Sequence, residues 1–284
     1  MELRRDRLLF PGGKKKALTF SYDDAVTQDI RLVELMNRYR VKGTFNINTG
    51  LLGTDRLYTK DGKTVTQNKL KPEQVPGLYA GHELAVHGLT HLDLALAGSA
   101  AAAYEVMADR KNIEDIVKAP VRGMAYPFGT CNSDLVELLR SCGMAYARTV
   151  HSTGEFALPE EFLRWNPTCH HADERLFAYA ERFSGNESGY YGPKLFYVWG
   201  HSYEFDLRND WDRMEQFLAQ ISGKEEVWYA TNIEIFEYVN AARQLQYSAD
   251  GRYIYNPAAQ DIWLSMDEKI CICPAGQTTA ACEL

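Results

Sequence analysis

An α/β fold with a largely parallel sheet is what the sequence predicts, on three observations. Short β-rich apolar runs alternate with amphipathic helical stretches through most of the chain. Reactive side chains fall directly after those runs: Asp23 and Asp24 after ALTFSY, His87 after ELAV, Pro127 and Gly129 after MAY, His201 after LFYVWG. In a parallel barrel such points gather at the C-terminal face of the strands, where active sites are built. Finally, 284 residues of which 45% are hydrophobic suffice to bury a large core, so one large domain is expected rather than two small ones.

Taken in order, 17–22 reads as a strand and 30–39 as the helix after it, with Ile30, Val33, Leu35, Met36 and Tyr39 at helical spacing. The next strand is 43–48. Residues 53–75 are polar, contain Asp61-Gly62 and have prolines close by, which predicts a long surface excursion. A strand follows at 83–86, an alanine-rich helix at 99–117, a strand at 123–126, and a helix at 132–142 with Asn132 or Ser133 as N-cap. The series continues with a strand at 194–199, a helix at 211–221, a strand at 227–229 and a final helix at 232–245. The end changes character: 252–256, 261–266 and 269–273 predict a small antiparallel β appendage, the last two strands turning at Asp267-Glu268. The expected division is 1–247 for the main domain and 248–284 for the appendage.

A formal net charge of -7 and a pI near 5.6 disfavour a nucleic-acid backbone or an anionic membrane surface as partner, since both would repel the chain. The basic run Lys14-Lys15-Lys16 is expected to be a solvated turn. Only Leu8, Leu9 and Phe10 separate the charged N-terminal residues from Pro11-Gly12-Gly13, too short for a signal-peptide core. No run approaches the roughly 18–20 apolar residues that cross a bilayer. The expectation is an unexported, cytoplasmic protein without a membrane partner. Six cysteines, at 131, 142, 169, 271, 273 and 282, lack the spacing of a zinc knot or the density of a disulfide scaffold. They are expected to be mostly reduced thiols, with Cys271 and Cys273 on one face of a strand rather than forming a metal site.

His87-Gly88-Leu89-Thr90-His91 offers two imidazoles four residues apart, close enough to reach one ion. By themselves they fit two surface histidines on a loop or helix better than a metal site. An aspartate pair at another strand end changes that, because two histidines and one carboxylate leave coordination positions open. Asp23-Asp24 also admits a plain reading, as a solvated turn. If the backbone is extended there, neighbouring side chains diverge, so one carboxylate could bind metal while the other accepts a proton.

The ordered set Thr19-Phe20-Ser21-Tyr22-Asp23-Asp24-Ala25, His87 to His91, Ala125-Tyr126-Pro127-Phe128-Gly129 and His201 resembles the polysaccharide deacetylases, carbohydrate esterase family four with its NodB-homology domain. The resemblance spans roughly 15–240. It implies a distorted (β/α) barrel of about seven parallel strands and removal of acetyl groups from an N- or O-acetylated carbohydrate. By position it implies Asp23 as base, Asp24, His87 and His91 as ligands of one divalent metal, and His201 as acid. Zinc heads the metals such ligands accept, with cobalt, nickel, iron and manganese behind it. Tyr126, Pro127, Phe128, Gly129 and Trp165 fall where substrate would bind, with the Phe128 N–H as candidate oxyanion donor.

Several positions depart from the family pattern. Ala125 stands where an arginine usually pairs with the catalytic aspartate; Arg122 or Arg164 could replace it, and without a replacement the Asp23 pKa would rise. No acidic residue directly follows His201, leaving Glu204 or Asp206 to orient it. Trp165 either lines the acetyl pocket or belongs to the core. Tyr190, Tyr191, Trp199 and Tyr203 are candidates to stack on sugar rings. His82, His151, His170 and His171 have no assignment, and His170-His171 beside Cys169 is expected to be a polar loop with its side chains pointing apart. Two other functions fit the same residues: hydrolysis of a small non-sugar amide or cyclic imide, and non-catalytic carbohydrate binding, which would leave Asp23 without a role.

Overall fold

The computed structural model of the protein describes residues 7–185, 192–267 and 269–281. Tyr190, Tyr191, Glu268 and Cys282 lie outside the described residues. The central parallel sheet runs Tyr146–Arg148, Gly123–Ala125, Glu83–Val86, Thr44–Ile47, Lys16–Asp23, Lys194–Gly200, Cys169–His170. This is the expected distorted barrel of seven parallel strands. An eighth, Val227–Tyr229, lies off that path and pairs with residues 16–18, while Thr44–Ile47 pairs with 21–23. Single bonds tie the segment 165–168 to the end strand Tyr146–Arg148 on one side and to Lys194–Gly200 on the other. The Trp165 N–H donates to Ala147 O at 2.9 Å, the Thr149 N–H to Trp165 O at 3.0 Å, and the Thr168 N–H to Tyr197 O at 2.9 Å.

Period-2 alternation sets what each strand shows to each face. On Lys16–Asp23, Leu18, Phe20 and Tyr22 join the apolar cluster under the surrounding helices, with Leu32, Met36, Phe217 and Ile221. Ala17 joins a second cluster, while Thr19 and Ser21 hydrogen-bond to Asn232 and Asn46. Asp23, next in that inward series, therefore arrives at the mouth. The helices Asp29–Arg38, Ser133–Ser141 and Trp211–Ile221 fall where periodicity puts them, and Ser99–Val117 where alanine content does. Asn132 caps Ser133–Ser141, its side chain accepting the Leu135 N–H at 2.8 Å. Among the described residues no helix is long and apolar enough to cross a membrane.

The antiparallel part is richer than the sequence suggests. Among the described residues there are two three-stranded sheets: Arg7–Leu9 with Ile262–Met266 and Lys269–Cys273, and Gln246–Tyr247 with Tyr253–Tyr255 and Thr278–Ala280. Pairing between Leu8 and Leu264 has no local signature, which is why the first strand was not expected. The side chains of Ile254, Ile262, Leu264, Cys271 and Cys273 pack with Phe10, Ala17, Leu195 and Tyr238. Ala17 and Leu195 lie near the starts of their strands, so this cluster sits at the end of the barrel opposite Asp23.

The polar excursion is also structured. It holds a hairpin, Leu57–Lys60 with Lys63–Thr66, turning at Asp61-Gly62, both of positive φ. Beyond the hairpin the chain returns to the barrel, Leu70 N–H donating to Ala25 O at 2.8 Å and Lys69 N–H to Thr54 O at 2.9 Å.

Candidate functional site

At the mouth of the barrel lies a pocket of about 570 Å³. Its lining includes Asp23, Asp24, His87, His91 and His201, with Tyr126 and Phe128. Asp23 ends its strand. Asp24 has left it, with φ 88, so the two carboxylates part because the backbone turns left-handed and not because it is extended, as the sequence suggested. Non-glycine residues of positive φ recur around this pocket at Ala25, His91 and Phe128. Such strain persists only where surrounding bonds impose it.

One ligating atom from each of Asp24, His87 and His91 falls within 4.8 Å of the others. His87 Nδ1 lies 2.9 Å from Ala125 O, which can only accept, so Nδ1 carries the proton and Nε2 presents a lone pair to the pocket. Burial lowers its pKa to about 4, keeping the ring neutral. The His91 pKa is also lowered, chiefly by burial. Neutral imidazoles beside an ionised carboxylate are the donor set a divalent metal takes, so the residues present fit such an ion. Two acids of the helix Ser99–Val117 hold the loop that carries them. Asp109 accepts the His87 N–H at 3.0 Å and the Thr49 N–H at 2.8 Å. Glu105 accepts the Thr90 N–H at 2.8 Å and its hydroxyl at 2.7 Å.

Asp23 is compensated on both oxygens. Oδ1 accepts from Asn46 Nδ2 at 2.8 Å, and Oδ2 is held by Arg148. Neither Arg122 nor Arg164 supplies this charge: the first pairs with Glu237 and the second with Ser133. Burial pushes the Asp23 carboxyl up, but Arg148, His87 and His201 outweigh it and hold the pKa below the usual range, not above it. Arg148 ends the strand Tyr146–Arg148, obeying the same positional rule as the other polar residues. A three-residue strand gave too little signal to mark it.

His201 places Nε2 3.8 Å from Asp23 Oδ2 and Nδ1 3.6 Å from Glu204 Oε1. Glu204 is therefore the acid beside it, because Asp206 is occupied by Gln28 and Trp211. Burial works against the charged ring, yet Glu204 and Asp23 raise its pKa to about 9. Contrary to expectation, His170 and His171 do not point apart. Both reach Glu204 Oε2, at 3.0 and 3.1 Å. Their strand, Cys169–His170, ends there, so the extended backbone that would separate the rings stops between them. The close approach of His171 requires Gly200, where a Cβ would lie 2.0 Å from His171 Nδ1.

His170, His171 and Glu204 form a second group of metal-ligand type. However, His170 Nδ1 accepts the Ala172 N–H at 3.1 Å, so Nε2, 3.0 Å from Glu204 Oε2, bears the hydrogen and has no lone pair to offer an ion. The group is a clamp on a carboxylate rather than a set of lone pairs around an ion. It also holds the Glu204 carboxyl well below its usual range against the upward push of burial.

The remaining predicted residues divide. Phe128, 61% exposed, sets its ring 4.6 Å from His91. Tyr126 lines the pocket, its hydroxyl donating to Leu163 O. Pro127 and Gly129 shape the turn behind the wall; at Gly129, φ 74, a Cβ would meet Val150 at 2.3 Å. Trp165 is not brought to the pocket: it is 1% exposed, packed among Tyr146, Phe162 and Tyr197. Trp199 and Tyr203 do line it. So do Arg56, Tyr58, Gln67 and Lys69, all from the excursion that the sequence marked only as surface.

The polysaccharide deacetylase family model matches residues 11–147. No curated protein matches the sequence. Among solved structures, the chain is similar to a candidate polysaccharide deacetylase of Mycobacterium smegmatis, with 16% identity, a TM-score of 0.55, and 84% of this chain and 94% of that one covered. It is also similar to a mutant, with restored enzymatic activity, of a family 4 carbohydrate esterase pseudoenzyme of Bacillus anthracis. There the identity is 14%, the TM-score 0.50, and the coverage 81% of this chain and 70% of that one. At such identities the structural likeness is one of fold.

Proposed function

We propose that this chain hydrolyses acetyl groups from an acetylated carbohydrate, with one divalent metal on Asp24, His87 and His91, because residues 11–147 match the polysaccharide deacetylase family model and those three side chains converge. The observation that carries the reading is the convergence of that ligand group with Asp23 and His201. Asp23 Oδ2 lies 3.8 Å from both His87 Nε2 and His201 Nε2.

When bound, the ion would supply Lewis acidity toward the acetyl carbonyl and make a nearby water easier to deprotonate. Asp23, ionised and steadied by Arg148 and Asn46, accepts the proton of the attacking water. His201, protonated at neutral pH with its pKa near 9, donates to the departing sugar nitrogen or oxygen. The Phe128 N–H is assigned to the carbonyl oxygen as charge develops. Tyr58, Phe128, Trp199 and Tyr203 supply aromatic faces on which a sugar ring can lie. A small amide or imide substrate keeps every one of these roles and differs only in what the outer wall touches.

The experiment is elemental analysis of the purified chain and of Asp24→Ala and His91→Ala, with acetate release measured on acetylated chito-oligomers and on small amides. About one transition-metal ion per chain, lost with acetate release in both variants, is the expected result. Retention of metal when His91 or Asp24 is removed would overturn the ligand assignment. Affinity for the sugars without turnover would favour a binding protein, a reading that the likeness to a pseudoenzyme keeps in view and Asp23 argues against.

A further inference from the structure

The carboxylate offered to the metal already has a cation. Lys69 Nζ lies 3.0 Å from Asp24 Oδ1 and donates to the Asp24 carbonyl oxygen at 2.7 Å. Gln67 Nε2 lies 3.3 Å from Asp24 Oδ2. Both members of the ion pair are buried, at 5% and 9% side-chain exposure. The oxygen nearest His91 Nε2, at 4.0 Å, is Oδ1, so the oxygen turned toward the imidazole is the one that carries the ammonium.

Lys69 is not a surface side chain that has wandered in. Its backbone bonds to Thr54 and bridges to Val26, and the next residue bonds to Ala25, directly after Asp24. The excursion therefore fixes Gln67 and Lys69, two apart on extended chain, over the two oxygens of one carboxylate.

We propose that Lys69 is the resident cation of this pocket, balancing Asp24 when no metal is bound and competing with a divalent ion for Oδ1. The inference rests on Asp24, His87 and His91 being a metal site. A buried carboxylate between neutral imidazoles is costly without a counter-charge, and Lys69 supplies one. An ammonium a few ångströms from a divalent ion repels it, by enough at an effective dielectric near 20 to weaken binding about tenfold or more. Metal release then leaves a neutralised pocket instead of a bare carboxylate. The Asp24 carbonyl gives the displaced ammonium a second anchor, so Lys69 stays in the pocket when it yields Oδ1.

The test uses the full chain stripped with chelator, as wild type, Lys69→Gln and His87→Ala. Each is titrated with Zn²⁺ and with Co²⁺ against a competing chelating dye, with circular dichroism confirming the fold. Lys69→Gln, which keeps a donor and removes the charge, is expected to bind both ions at least about tenfold more tightly, while His87→Ala loses them. Lys69→Met repeats the measurement should glutamine disturb the fold. Equal or weaker binding by Lys69→Gln, with His87→Ala still losing the ion, overturns the proposal and leaves the metal site standing. No binding by wild type or by Lys69→Gln overturns both.

Discussion

Two carboxyls of the same barrel, Asp23 at the mouth and Glu83 at the base, meet opposite fates. Each has both oxygens bonded. Asp23 has Arg148 and Asn46 as donors, with two imidazoles close by, and its pKa lies below the ordinary value. Glu83 receives only neutral donors: the Tyr146 hydroxyl at 2.7 Å, the Thr44 hydroxyl at 2.7 Å and the Ile233 N–H at 2.9 Å. Burial outweighs those bonds and pushes its pKa up to about 7. At Glu83 the neutral hydrogen bonds do not offset burial, whereas at Asp23 the added cation does. The mouth is built to hold charge, whereas the base, plugged by the apolar cluster around Phe10 and Leu264, is built to exclude it.

Removing the cation should break that difference most severely. Arg148→Met strips the buried Asp23 charge of its main counter-ion, leaving Asn46 and His201, with an expected loss of about 3 kcal/mol in urea unfolding at pH 7. The double variant Arg148→Met/Asp23→Asn should recover part of it; a purely additive double variant would show that the pair is not coupled. Asp23→Asn alone isolates the chemistry. With the fold kept, acetate release should fall about 100-fold or more, the usual cost of losing a general base. Turnover within a few-fold of wild type would remove Asp23 from the reaction.

The clamp on the acid offers a smaller, pH-resolved effect. The His201 pKa stands near 9, above its ordinary 6.5, so a required imidazolium is present below about 9 and lost as pH rises through it. Glu204→Gln removes one of the charges that raise it, the others being Asp23 and Asp24. The basic limb of the pH–rate profile should then move down toward 6.5, with about tenfold less activity near pH 8 and little change below pH 6. An unmoved limb would mean that Glu204 only packs against the ring.

What could be read from the sequence follows from locality. An apolar run and the polar residue that ends it are adjacent in the chain, so the sequence alone puts Asp23, Asp24, His87 and His201 at one barrel mouth. The alanine-rich helix Ser99–Val117 and the amphipathic helix Trp211–Ile221 have the expected bounds. Contacts between distant segments were not legible. Arg148 reaches Asp23 across 125 positions. Lys69 reaches Asp24 across 45, from a stretch whose polarity looked like solvation. Trp165 shows the converse failure: a tryptophan in the expected region proved to be core, because which face of a bonded segment it occupies depends on closure of the barrel. Ring direction at His170 and His171 likewise depended on where a two-residue strand ends.

Glu83 gives the most discriminating test of the contrast between the two ends. Its folded pKa, about 7, exceeds the ordinary 4.5, so the fold favours the protonated form. That contribution is present in full below about 4.5 and is lost as pH rises through about 7. Glu83→Gln keeps the shape and an acceptor oxygen but cannot ionise. The variant should come close to wild type at pH 4.5 and exceed it by about 3 kcal/mol at pH 8 in urea unfolding. If the stability difference were the same at both pH values, Glu83 would not be titrating in this range, and the base would tolerate a charge as readily as the mouth does. If Glu83→Gln lost stability more steeply than wild type as pH rises, the sign would be reversed. An unrecognised cation would then have to lie beside Glu83, and the distinction between the two carboxyls would collapse.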